Sequence, residues 1–393
     1  MVQIKVVITQ LPIESFSYFQ WFLLGLYQLR DDGKIQLEFK ISLIDRIVLL
    51  WFNNKYIAGG SRRILNKFKK IPRYNLIGYI TNGNLKKTFA IDSKDSPFIF
   101  TIKDLVNCDC YFKNQCPKSI EIDGFNITPT IKVPYFDINY NTRSANNYFC
   151  RKTTDIVYSL KGKIYPGMVG PRRLAWSCKY MPLKEQYNIY LKSKRIKTTK
   201  KLIAYFGNAK GPKPTQKTFN YDLDWESDLM SFLDDRGNHP NEKRATAVKI
   251  INNLSNKDYE GRIIIDDQNI NHKEQVVPLC HFCDFIAEYN YNLNISGYRL
   301  SIPNRFIESF ISGTAIVTDK LHVKWFLPFE EEVKETIDMG YLNNKDVNWD
   351  QFSKDIKNLP YISKDKIIEY YNKKWSPKNF ANYVINTTLN IIK

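Results

Sequence analysis

The stretch LNISGYRLSIPNRFIESFISGTAIVTDKLHVKWFLPF, Leu293 to Phe329, decides how this chain is read. It opens on a short apolar strand that ends at Ser296 and Gly297, then passes through a loop holding Tyr298 and Arg299 to Pro303. Proline has no N–H to lose and a fixed φ, so it suits the first turn of a helix. The helical pattern of PNRFIESFIS stops at Gly313, and TAIVTD has the apolar run of a buried strand. A helix N-terminus behind a strand-end loop attracts anions through its N–H groups and its dipole. Arg299 and Arg305 add forked donors suited to phosphate oxygens, and Glu308, about one turn on from Arg305, could accept two ribose hydroxyls.

Working outward, the same rhythm runs through the second half. LIAYFG, Leu202 to Gly207, reads as a strand that ends in the glycine-containing loop GNAKGPKP. A helix follows over HPNEKRATAVKIINNL, then the strand GRIIID, the helix-like CHFCDFIAEY and the strand NLNIS. Each cycle opens on an apolar strand, which predicts an α/β domain with ligands at the carboxyl ends of its strands.

The first half repeats the alternation less regularly. IKVVITQ (Ile4 to Gln10) reads as a strand, Ser17 to Leu29 as a helix, KIQLEFKISL as a strand and SRRILNKFKKI as a basic amphipathic helix. LIGYIT, TFAID, PFIFTI and CDCYF are short apolar runs, read as parallel strands buried on both faces of an irregular Rossmann-type sheet. The pattern loosens between about Pro134 and Lys201 and becomes dense in charge at LKSKRIKTTKK. The expected division is residues 1–190, an N-terminal Rossmann-like domain, and 191–374, a C-terminal Rossmann-like domain. Residues 375–393 form a C-terminal helix with the N-terminal domain as a surface open to it. The fold class expected is α/β, two facing Rossmann-like domains with a cleft between them.

Length and composition agree with two cores. A chain of 393 residues exceeds what one core organises, and 43% hydrophobic residues against 25% charged leave ample apolar surface to bury. The net charge of +18 comes from lysines dispersed over the whole length. That balance attracts phosphorylated ligands, nucleic acid and anionic membrane alike. The dispersion argues against a nucleic-acid binder, although a basic nucleic-acid or anionic-surface binding protein without catalytic activity is the alternative reading. A nucleotide-sugar epimerase is disfavoured by the lack of an N-terminal glycine fingerprint. The N-terminus lacks the ordered features of a secretory signal, and the most apolar helix is too short to span a bilayer, so the expected location is cytoplasmic.

Seven cysteines, an odd number without an export signal, argue for reduced thiols. CDCYFKNQC and CHFC look like halves of a zinc site, but their apolar neighbours suit free Cys acting as a small hydrophobe.

The order Gly, Arg, Pro, helix, Glu, then Gly-Thr and an apolar strand resembles the donor-binding domain of GT-B-fold glycosyltransferases, in their exostosin-like and fucosyltransferase-like branches. The likeness covers most of residues 200–330 and is weak over the first 190. It implies a nucleotide-sugar-dependent hexosyl- or deoxyhexosyltransferase acting on a glycan or lipid-linked glycan acceptor in cell-surface polysaccharide synthesis. Peripheral contact with the inner face of the membrane would follow from such an acceptor. By resemblance, Arg305 and Glu308 fall where those families contact donor phosphate and ribose. AYFGNAKG with Arg244 is similar to the exostosin-like strand, glycine loop and helix with an inward Arg. Gly207, Lys210, Arg244, Gly297, Tyr298, Arg299, Arg305, Glu308 and His322 make up the expected donor set.

Many retaining members of that fold carry a second glutamate eight positions before the ribose glutamate, where this chain has Leu300. The departure favours an inverting reaction, which needs a general base. No His precedes His239, so a base from the first half must be a carboxylate. Glu14, Asp92 and Asp95 lie at expected strand ends and are the candidates. The fold class resembled neutralises diphosphate with Arg, Lys and helix dipoles, so neither metal nor cofactor is expected.

Overall fold

The computed structural model describes residues 4–12, 18–43, 75–128, 131–139, 149–171, 184, 188, 201–207, 259–265, 283, 286–296, 300–318, 321–327, 354–355, 358–359 and 362–390. In chain order the strands are β1 (Ile4–Gln10), β2 (Ile35–Phe39), β3 (Asn75–Asn82), β4 (Leu85–Asp92), β5 (Ile99–Phe100), β6 (Cys110–Lys113), β7 (Cys116–Pro117), β8 (Phe125–Thr128) and β9 (Ile131–Val133). They continue with β10 (Phe136–Asn139), β11 (Phe149–Lys152), β12 (Ile164–Pro166), β13 (Lys201–Gly207), β14 (Tyr259–Ile265), β15 (Tyr291–Asn294), β16 (Ala315–Thr318) and β17 (Val323–Lys324). The α-helices are α1 (Gln20–Asp31), α2 (Ile102–Asn107), α3 (Thr154–Ser159), α4 (Arg305–Ile311), α5 (Lys364–Tyr370) and α6 (Pro377–Leu389).

The chain divides into two compact units. Unit 1 is Met1–Asn188 with His322–Leu327 and Lys373–Lys393, and unit 2 is Ile189–Leu321 with Pro328–Asn372. Among the described residues the architecture is α/β, built on a six-stranded mixed sheet in unit 1 and a four-stranded sheet in unit 2.

In unit 1 the strand order is β12-β6-β4-β3-β1-β2. Val6, Val7 and Ile8 are all buried, as a strand covered on both faces requires. β1 pairs in parallel with β2, and β4 with β6 and β6 with β12 likewise. β3 alone runs the other way, antiparallel to both β1 and β4.

This corrects the expectation that LIGYIT and TFAID are parallel strands. Asn82 pairs with Leu85, leaving only Gly83 and Asn84 between the strands, and Gly83 has φ 59°. A two-residue loop can join only antiparallel neighbours, and glycine with positive φ at its first position matches the twist of a hairpin. The Gly-Asn pair in the sequence carried that signal. A second correction concerns PFIFTI: only Ile99–Phe100 is strand, in a separate sheet ordered β11-β10-β5, and the chain enters α2 at Ile102.

Helices α1 and α6 cover one face of this sheet. Phe22 of α1 meets Phe89 of β4 and Phe380 of α6 edge to face, each at 5.9 Å between ring centres. Ser376 caps α6 by accepting from the Asn379 N–H at 3.4 Å, with Pro377 at the first turn. The indole of Trp21 donates to the Trp375 carbonyl at 3.1 Å, which ties α1 to the segment entering α6.

Unit 2 holds the parallel sheet β14-β13-β15-β16, in which all three pairings are parallel. β13 therefore has its successor β14 on one side and β15 on the other. Reversal of strand order at that point leaves a crevice outside the carboxyl ends of the two strands. Helix α5 packs against the end of α4, where a Cβ added to Gly313 would meet Ile368 and Lys364. Among the described residues, no helix is long and apolar enough to cross a membrane.

Candidate functional site

In unit 2 the carboxyl ends of β13, β15 and β16 lie along one edge of the sheet, at Gly207, Asn294 and Thr318. Residues i and i+2 of a strand share a face, and β15 carries Asn292 and Asn294, both fully buried, at that spacing. Each engages the chain of α4. Asn292 Nδ2 donates to Ser309 Oγ at 2.8 Å, and Arg305 Nε donates to Asn294 Oδ1 at 3.4 Å. Ser309 Oγ in turn donates to the Arg305 carbonyl at 2.7 Å.

The guanidinium of Arg305 also stands 5.8 Å from the ring centre of Tyr205 on β13. Arg305 is thus held at the ends of both strands that flank the order reversal. It is only partly buried. Glu308, three residues on and on the same side of α4, is buried at 2% exposure. A partly exposed cation beside a carboxylate at a strand-order reversal can bind an anionic group and the hydroxyls attached to it.

The approach to α4 differs from the sequence reading. The helix begins at Arg305, with Asn304 as its N-cap, rather than at Pro303. A tight turn leads in, with the Phe306 N–H donating to the Pro303 carbonyl at 3.1 Å, and Leu300 before it is buried with φ 59°, a left-handed conformation uncommon for a non-glycine residue. Such a residue costs of order 1–3 kcal/mol and tends to mark ligand-binding turns. At seven residues α4 is a short helix, so the Arg305 charge matters more here than the helix dipole.

Unit 1 places its strand-end residues differently. β1, β4, β6 and β12 end along one edge, and Asp92 and Lys113 are register partners there. Both are fully buried, and Lys113 Nζ lies 2.9 Å from Asp92 Oδ2. The ammonium also donates to the Ile99 carbonyl at 2.7 Å and stands 4.6 Å from the Phe100 ring centre. Asp92 Oδ2 accepts from the Tyr111 hydroxyl at 2.7 Å, and Oδ1 accepts from the Lys94 N–H at 2.8 Å. Burial and the Asp92 charge push the Tyr111 hydroxyl well above its ordinary pKa, so it stays a donor. Asp92 is a structural carboxylate with both oxygens engaged. Asp95, three residues on in the same strand-end loop, is exposed.

Of the remaining expected residues, His322 lies in unit 1. It is nearly buried, with its ring 6.1 Å from that of Phe125 and its carbonyl accepting from the Lys118 N–H at 3.2 Å. Glu14, Lys210, Arg244, Gly297, Tyr298 and Arg299 lie outside the described residues, as does the expected helix SRRILNKFKKI. The structure brings Arg305, Glu308 and the strand end at Gly207 to one unit.

Asn294 and Tyr205, which orient Arg305, were not singled out from the sequence. The signal was present as asparagine at alternate positions of the otherwise apolar YNLNIS, where a buried polar side chain needs a specific partner.

Burial pushes the thiols of Cys108, Cys110 and Cys116 up to about 12 each, leaving them protonated. Among the described residues no group of His, Cys, Asp and Glu side chains is arranged to hold a metal ion. No protein-family model matches the sequence, and no curated protein matches it.

Proposed function

We propose that this chain is a glycosyltransferase that moves a sugar from a nucleotide donor to an acceptor hydroxyl, with its donor bound at the carboxyl edge of the unit 2 sheet. The observation that carries this reading is Arg305, held by Asn294 and Tyr205 at the point where strand order reverses. In parallel α/β sheets that is where nucleotides bind. Arg305 contacts the diphosphate and stabilises it as the leaving group, while Glu308 accepts from the ribose hydroxyls. The reading includes two Rossmann-like domains facing each other, as in the GT-B type, and an inverting reaction in which the acceptor hydroxyl is deprotonated as it attacks. Asp95, exposed in the loop after β4, serves as the base; Glu14 is the other candidate.

Thermal shift of the full chain against nucleoside diphosphates and nucleotide sugars tests the reading. A ligand at ~100 times its Kd stabilises by about 2.7 kcal/mol. One nucleotide series should raise the melting temperature and the effect should be lost in Arg305→Ala. A wild-type protein that no nucleotide stabilises, and that binds nucleic acid with a steep salt dependence, would show the reading to be wrong.

A further inference from the structure

An interior strand of the unit 2 sheet carries a row of buried polar side chains. Asn290, just before β15, then Asn292 and Asn294 within it and Ser296 just after are all buried, and Tyr291, Leu293 and Ile295 alternate with them. Alternate residues of a strand share a face, so the polar four form one row. The bond from Asn292 to Ser309 places α4 over that row. Burying an amide is costly unless it has a specific hydrogen bond to make, and two of these amides lead to Arg305.

Asn294 engages the side chain. Its Nδ2 donates to the Asn292 carbonyl at 3.3 Å, which leaves Oδ1 as the acceptor for Arg305 Nε at 3.4 Å. Asn292 engages the backbone. Its Nδ2 donates to Ser309 Oγ at 2.8 Å, and the Ser309 hydroxyl donates in turn to the Arg305 carbonyl at 2.7 Å. The same back-bond recurs at Glu308, whose carbonyl accepts from the Ser312 hydroxyl at 2.8 Å. A serine bonded back to the carbonyl of the preceding turn slightly destabilises a helix, and asparagine is a poor strand former. Residues that work against both elements they join point to a role other than stability.

We infer that Asn292 and Ser309 are positioning residues: they pin the Arg305 carbonyl to β15 and so hold the guanidinium, steered by Asn294, in one pose at the strand ends for a phosphate group. A long side chain loses rotamer freedom when an anion captures it. A guanidinium set in place by folding has already lost part of that freedom, so capture costs less. That the phosphate belongs to a nucleotide sugar rests on the proposed function; the positioning does not.

NMR of the full chain carrying isotope-labelled arginine tests this, with the Arg305 Nε–H signal identified by its loss in Arg305→Ala and inorganic pyrophosphate as the probe ligand. In wild type that signal should exchange slowly with water. The paired variant Asn292→Leu with Ser309→Ala removes both partners of one buried hydrogen bond, and Asn292 Oδ1 has no partner to lose, so the melting temperature should stay close to wild type. Its Arg305 Nε–H should exchange faster, and pyrophosphate should bind about ten-fold more weakly. With Arg305→Ala already present, the pair should cause no further loss of affinity. A merely structural pair would lower the melting temperature and leave the Nε–H exchange of the folded protein unchanged. Ser309→Ala alone serves for the same readings where the pair does not fold. Wild-type Nε–H exchange as fast as that of free arginine, exchange unchanged in the variants, or a loss of affinity as large without Arg305 as with it would overturn the inference. A wild type with slow Nε–H exchange that binds no pyrophosphate would count against the donor-site reading, and the variants' exchange would still decide the positioning.

Discussion

The two sheet edges of this molecule use charge in opposite ways. In unit 1, Asp92 and Lys113 are fully buried and engage each other, a tyrosine, a carbonyl and a backbone N–H. In unit 2, Arg305 engages Asn294 and the ring of Tyr205 and stays partly exposed. A buried ion pair offers nothing to a charged ligand, because each ion has already replaced its water with protein groups. A cation that stays partly exposed keeps a face open to a ligand. Strand-end charges therefore suit a ligand site only where the fold leaves them accessible.

Breaking the closed pair should give the largest effect. Lys113→Met leaves a buried carboxylate without its cation and should cost about 3–5 kcal/mol in urea denaturation. The double variant Asp92→Asn with Lys113→Met should lose less than the single one. A single variant within 1 kcal/mol of wild type, taken as a rough threshold for an exposed pair, would mean the Asp92–Lys113 pair is solvated rather than closed.

Asp95→Ala tests a carboxylate that is exposed in the loop after β4. As the general base of the proposed reaction it should lower turnover at least about 10²-fold, measured as nucleoside diphosphate release, with donor affinity nearly unchanged. Turnover within a few-fold of wild type would move the role to Glu14. Arg305→Ala and Glu308→Ala should do the reverse, weakening nucleotide binding by about 1.5–3 kcal/mol in calorimetry. Equal affinity in both variants would erase the contrast between the two edges.

The smallest effect is expected at the opposite end of the unit 1 sheet, where Asp109 precedes β6. Burial pushes its carboxyl up, but the Thr88 N–H and hydroxyl, both at 2.8 Å, and Lys87 bring it below the ordinary value. A carboxyl whose pKa is lowered by folding stabilises above its unfolded pKa, and the gain is lost as pH falls through the folded value. Asp109→Asn should therefore cost under about 1 kcal/mol at pH 7, since the group is partly exposed. The difference from wild type should vanish in acid, and one that persists at pH 2 would assign the effect to packing.

Residue pattern alone was enough for the strands of unit 2. LIAYFG, GRIIID, NLNIS and TAIVTD are apolar runs bounded by Gly, Asp and Ser, and parallel strands buried on both faces need that pattern. Arg305 and Glu308 were legible as a pair because their spacing puts them on one side of a helix. The direction of β3 was misread, since an apolar run looks the same in either sense; Gly83 and Asn84 fix it through the length of the turn.

What the sequence determined by itself is local: which segments are strand or helix, and which charges fall at their ends. Whether such a charge is closed or available was decided by tertiary structure, because Asp92 and Lys113 are 21 residues apart and meet only through the register of β4 with β6. Asn294 and Arg305 likewise meet only because α4 packs against β15, a contact set by long-range burial that no spacing rule contains.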